Sequence, residues 1–186
     1  MSDDGVVTDD RFPGWRARIV GDEDADQPWG DALAPALLVH RGRPVWADQV
    51  YQPKHADQIL AAWSRLGGDE LFGRYLRLAQ GSTAIRHISG QDLEVVVFDT
   101  ADYRAHIGVA DVCDLAGEYA EWRAWLDGEV YGVIVEQHTA TACWREHEAL
   151  FGLYGSGYAE QRAAEMLADA ATARTPDAVV SGPRET

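Results

Sequence analysis

The chain reads as an α+β protein: a mainly antiparallel sheet packed by several helices. Three observations predict it. Short β-branched or alternating runs, such as W-R-A-R-I-V (15–20) and D-L-E-V-V-V-F-D (92–99), have the period of strands. Apolar residues recur at helical spacing in three other stretches, 56–79, 111–126 and 158–170. Strands and helices are interleaved irregularly, unlike the strict alternation of a doubly wound sheet. The length of 186 residues suits one compact domain, read here as 14–171.

Residues 1–13 are acidic and lack periodicity, which predicts a mobile lead-in. Residues 15–20 alternate apolar and basic side chains, as a half-buried strand does. G-D-E-D-A-D-Q-P-W-G-D follows, an acidic loop broken by Pro28 and Gly30. A-L-L-V-H (36–40) is a second strand, and R-G-R-P (41–44) is a turn after it. Ile59, Leu60, Trp63 and Leu66 then share one side of a helix that Gly67-Gly68 stops. A second helix runs from Asp69, with Phe72, Tyr75, Leu76 and Ala79 at helical spacing, and Gly81 ends it. Strands at 82–89 and 92–99 flank a turn at Ser89-Gly90-Gln91. Thr100 or Asp102 can cap a short helix through His106.

Residues 111–126 predict a longer helix with Leu115, Tyr119, Trp122 and Leu126 on its apolar side. Gly117 weakens it by about 1 kcal/mol relative to Ala. Asp127-Gly128 is a turn, 130–136 a strand, and a polar connector leads to a second apolar run. A helix at 158–170 closes the domain. Residues 172–186 are small and polar with two prolines and predict a disordered tail.

Charge separates some function classes from others. Thirty-one acidic residues against 16 Lys+Arg give a formal charge of −15. Such a field repels nucleic acid and anionic membranes, and it favours basic protein partners. Cys113 and Cys143 do not make a disulfide scaffold. The opening M-S-D-D-G-V-V-T-D-D has neither basic nor apolar signal region, and no apolar run approaches transmembrane length. A cytoplasmic setting is therefore expected.

Motifs that carry chemistry are sparse. Asp22, Asp24 and Asp26 open like a calcium loop, but Gln27 and Leu33 stand where it needs Gly and Glu. Cys143 and His147 make half of a zinc site without a second close pair. Gly155-Ser156-Gly157 lacks the lysine of a phosphate loop and predicts a structural turn. No metal and no cofactor is expected. His40, Arg41 and Arg43 form the densest cationic spot, which suits either an anion or an internal pair with the acidic loop. His87, Asp99, Asp102 and His106 flank an apolar strand and contain the elements of a general-base pair.

Several segments together resemble a family of uncharacterised proteins carried by bacteriophages and mobile elements, frequent in actinobacteria. They are the acidic loop from Asp22 to Pro28, the strand ending in His40-Arg41, and the Gly90-Gln91 turn before Val95 to Phe98. L-D-G-E-V-Y-G (126–132) and the closing A-L-F-G-L-Y-G (149–155) complete the pattern. Ala149 and Leu150 stand where the family has Cys and Trp, and its Tyr- and Ser-rich middle strand is absent. The resemblance implies a phage or mobile-element accessory protein in a bacterial cell.

The expected function is non-enzymatic binding of a basic or DNA-binding host protein, as an anti-restriction or anti-defence inhibitor or DNA mimic. Asp22, Glu23, Asp24 and Asp26 are the candidate acidic contacts, with Trp29 and Trp46 as aromatic anchors. The alternatives are a small enzyme acting on nucleotides, with His40, Arg41, His87 and Gln91 at one cleft, and a self-assembling structural protein. A homodimer is compatible with any of these.

Overall fold

The computed structural model describes residues 5–28, 34–47, 53–66, 69–108 and 115–173, without the side chains of Asp69 and Ile107. Trp29, Gly30, Gly67-Gly68, Cys113, the expected start of the helix at 111, and residues 174–186 of the expected tail lie outside these. The fold is α+β, and the described residues form two antiparallel four-stranded sheets and five helices. The interval read as one domain comprises parts of two compact units: Met1–Ala25 with Glu129–Thr186, and Asp26–Gly128.

The first unit is a sheet in the order β1(Gly5–Val7), β2(Trp15–Gly21), β7(Val130–His138), β8(Trp144–Tyr154), with helix α5(Ser156–Ala173) against it. Part of the lead-in is thus a strand, in which Gly5, Val6 and Val7 pair with Ile19, Arg18 and Ala17. On β2 the alternation does what the sequence implies. Trp15, Ala17 and Ile19 turn inward with Val133 and Val135 of β7, and pack on Ala159, Ala163, Met166 and Leu167 of α5. Burying such a face is the main driving force for closing helix onto sheet. Small alanines on α5 let the helix approach the strands closely.

β8 is much longer than the apolar run that predicts it. Its first six residues, in the stretch read as a polar connector and just after it, are exposed. As an edge strand with little cover it has no hydrophobic alternation to read.

The second unit is a sheet in the order β4(Arg43–Trp46), β3(Ala36–His40), β6(Leu93–Phe98), β5(Ile85–Ser89). Leu37, Val39, Val96 and Phe98 pack against α1(Ala56–Leu66) and α2(Asp69–Ala79) through Ile59, Trp63, Phe72 and Leu76. Ala36, Leu38, Val95 and Val97 pack on the other face against Tyr103 of α3(Ala101–Ile107) and Leu115 and Trp122 of α4(Leu115–Asp127). Both faces of β3 and β6 are therefore covered, which is why they read as continuous apolar runs.

Two local readings are adjusted. R-G-R-P is not wholly turn. Arg41 and Gly42 both have positive φ, 51° and 75°, the signature of a two-residue hairpin loop. The chain re-enters the sheet at Arg43 as β4, where an edge position tolerates Pro44. On α4 the buried positions are Leu115, Glu118, Trp122 and Ala124. Tyr119, expected on the apolar side, is 37% exposed.

Thr100 caps α3 as expected, accepting a hydrogen bond from the Tyr103 N–H at 3.1 Å. Beside it, Asp99 is fully buried. It accepts the N–H groups of Thr83 and Ala84 at 2.8 Å, the Ser82 and Thr83 hydroxyls, and a bond from Arg104. Burial pushes its pKa up. The Ala84 and Thr83 N–H groups and the Thr83 and Ser82 hydroxyls outweigh that and hold it below the ordinary 3.8. Because the folded pKa is depressed, this stabilisation is present above the unfolded value and is lost as pH falls through the folded one. Asp99→Asn is expected to cost about 3 kcal/mol at neutral pH, since it strands Arg104 and breaks the fastening of residues 82–84. Urea melts should show that loss shrinking below about pH 4.

Candidate binding surface at the end of the first sheet

The two glycine-containing blocks that close the sequence pattern meet in the first unit. Val133 and Val135 face α5, so Gly132 presents the opposite face of β7. The Phe151 ring of β8 lies directly over the Gly132 Cα, where any β-carbon would collide with it. Phe151 nevertheless keeps half its surface in solvent. An irregularity between Tyr131/Leu153 and Val133/Leu150 gives β8 one extra residue there, and Gly152 takes a φ of 76°. The geometry is that of a bulge, which re-aims the side chains around it.

The acidic loop is tied to this spot. The Asp22 N–H donates to the Val130 carbonyl at 2.8 Å, and its carboxylate accepts the Gly152 N–H at 3.1 Å. Asp22 is thus a positioning group, and Glu23 and Asp24 follow it in solvent. Glu129, whose carbonyl accepts the Gly155 N–H, is a further exposed carboxylate on the same end of the sheet. A half-exposed aromatic ring flanked by carboxylates suits a partner that offers an apolar contact ringed by Lys or Arg.

The far end of the β7–β8 hairpin is polar and densely paired. Glu136, nearly buried, accepts Arg16 Nε at 2.7 Å and Arg18 Nε at 3.2 Å. The Arg16 guanidinium also sits 4.1 Å from the Trp144 ring centroid, a cation–π contact. A second bulge, between Val135/Glu148 and Glu136/Glu146, makes His147 the extra residue. Its ring meets Trp15 edge-on at 5.2 Å. An open hollow of about 300 Å³ lies there, lined by Gln137, Thr139, Arg145, Glu146 and His147. Neither bulge was legible from the sequence, because neither breaks the apolar pattern of β7.

The other expected residues are placed as follows. Asp26 is exposed and belongs to the second unit. Trp46 is half-buried against the α1/α2 core, its ring 6.1 Å from Phe98, and so is packed rather than presented. Trp29 lies outside the described residues. His40 and Arg41 are exposed at the β3–β4 turn, and Gln91 is exposed in the β5–β6 turn. His87 is bound at Nε2 to Glu94 at 2.8 Å, and its ring meets Trp63. The hollow it lines, with Ile85, Arg86, Ala116 and Tyr119, contains none of His40, Arg41 and Gln91. Of the four residues read as holding the elements of a general-base pair, Asp99 is joined to neither histidine, since it is enclosed by residues 82–84 and Arg104. Asp102 accepts the Lys54 N–H.

Cys143 is an exposed free thiol in the β7–β8 loop, and His147 is turned to Trp15. Among the described residues, no group of three or more His, Cys, Asp or Glu gathers as a metal site would require. No described helix is long and apolar enough to cross a membrane. No family model, curated protein or solved structure matches the chain.

Gly132→Ala is expected to displace the Phe151 ring and cost about 1–3 kcal/mol by overpacking. Pairing it with Phe151→Ala should remove most of that penalty, so that the double variant loses less than the two single losses summed. Thermal melts of the four proteins check this.

Proposed function

We propose that the protein is an acidic accessory protein of a bacteriophage or mobile element that binds a host protein. Its partner is basic, of the DNA-binding kind, and the contact is an anti-restriction or other anti-defence inhibition. The observation that carries the reading is the acidic loop fastened by Asp22 to the strand that displays Phe151. It couples a charged rim to an apolar anchor, the pairing of features that binding energy in protein interfaces concentrates on.

The general negative charge acts separately. Exposed carboxylates occur on α1 (Asp57), α2 (Glu70), α4 (Glu121, Asp127) and α5 (Glu160, Glu165). Spread over so many elements, they favour steering a basic partner to the protein over copying the regular phosphate spacing of a duplex. Inhibition by local docking therefore fits better than DNA mimicry.

The test is capture of DNA-binding proteins from a bacterial lysate on the immobilised full chain, at low and high salt. Capture at low salt that weakens at high salt is expected. The double change Glu23→Lys with Asp24→Lys should slow association, and Phe151→Ala should hasten dissociation, by about tenfold. Capture indifferent to salt and to all three changes would sink the proposal.

A further inference from the structure

The hollow beside β5 in the second unit has the makings of a small-ligand site, independent of the surface above. Ile85, Arg86 and His87 of the edge strand line it together with Ala116 and Tyr119, one turn apart on α4. Its volume of about 430 Å³ falls within the ~300–1,000 Å³ usual for small-molecule sites.

Each wall has a distinct chemistry. His87 is held at Nε2 by Glu94 and edge-on by Trp63, so it is a fixed wall. Ile85 and Ala116 are apolar. Tyr119 is 37% exposed although its spacing would place it on the apolar side of α4. Its hydroxyl has no partner among the described residues. Arg86 is exposed and has no carboxylate among the described residues. Elsewhere, Arg11, Arg16, Arg18, Arg104, Arg123 and Arg162 are each matched to one, whereas Arg41, Arg43, Arg65, Arg74, Arg77 and Arg145, like Arg86, are not matched among the described residues. What distinguishes Arg86 is its place: an open guanidinium on the hollow beside an aromatic ring with a free hydroxyl.

We propose that this hollow binds a small planar aromatic anion of the nucleoside monophosphate class. The base stacks on the Tyr119 ring beside Ala116, and the phosphate takes the two-pronged guanidinium of Arg86. A single guanidinium, in a chain of charge −15, suits one phosphate rather than a polyphosphate.

The experiment titrates the isotope-labelled full chain with adenosine monophosphate, adenosine and inorganic phosphate, following backbone amides by NMR. Adenosine monophosphate is expected to move the amides of residues 85–87 and 116–119. Adenosine and phosphate should each bind about tenfold more weakly, because each lacks one of the two contacts. Arg86→Gln and Tyr119→Ala, both exposed positions, should each weaken the monophosphate about tenfold with the circular dichroism unchanged. Three results would overturn the proposal: amides there that stay still with the monophosphate, phosphate alone binding as tightly, or both variants binding like the parent. Host-protein capture is read on other residues, so either proposal can fail without the other.

Discussion

The close approach of Phe151 to the bare Cα of Gly132 is the constraint on which the surface of the first unit depends. A ring can lie flat on a strand only where the strand has no side chain. Beside it, β8 carries an extra residue, and Gly152 takes the left-handed conformation. That in turn turns the Gly152 N–H toward Asp22 and fixes where the acidic loop leaves the sheet. A bare Cα on a central strand, the bulge beside it and the Gly152–Asp22 bond thus join charges to a strand more than a hundred residues away in sequence.

The second unit depends on a different kind of fastening. Its sheet is covered on both faces by apolar helices, an arrangement that hydrophobic burial specifies only loosely. Asp99 supplies the directional element. It ends β6, ties down residues 82–84 ahead of β5, and takes Arg104 from α3. A buried carboxylate this fully hydrogen-bonded fixes the junction of strand, loop and helix at defined angles.

Much of the fold was legible in the sequence because much of it obeys simple periods. β2 alternates, β3 and β6 run apolar under double cover, and α1, α2 and α5 carry continuous stripes. What escaped notice lies at edges. β1, β4 and most of β8 are edge strands, where half the hydrogen-bonding groups and most side chains face water, so neither hydrophobicity nor proline argues for a strand. Of the candidate site, Asp22, Glu23 and Asp24 were visible as a charge run. Phe151 was visible only as part of an apolar run, and the bulge and Gly132 are what reveal that its ring rides outside. Trp46 shows the converse: an aromatic at a strand end reads as an anchor until Phe98 is found against it. His87 was visible as an imidazole near carboxylates, but its partner is Glu94, across the neighbouring strand, and not Asp99.

The tether between Asp22 and Gly152 has a kinetic meaning. In many complexes the charges that hasten encounter and the ring that delays escape sit on separate segments and can drift apart in evolution. Here one hydrogen bond joins them, so loosening the loop would also loosen the seat of the ring. In the docking we propose, speed of capture and length of residence are therefore geared together, and selection on either would drag the other with it.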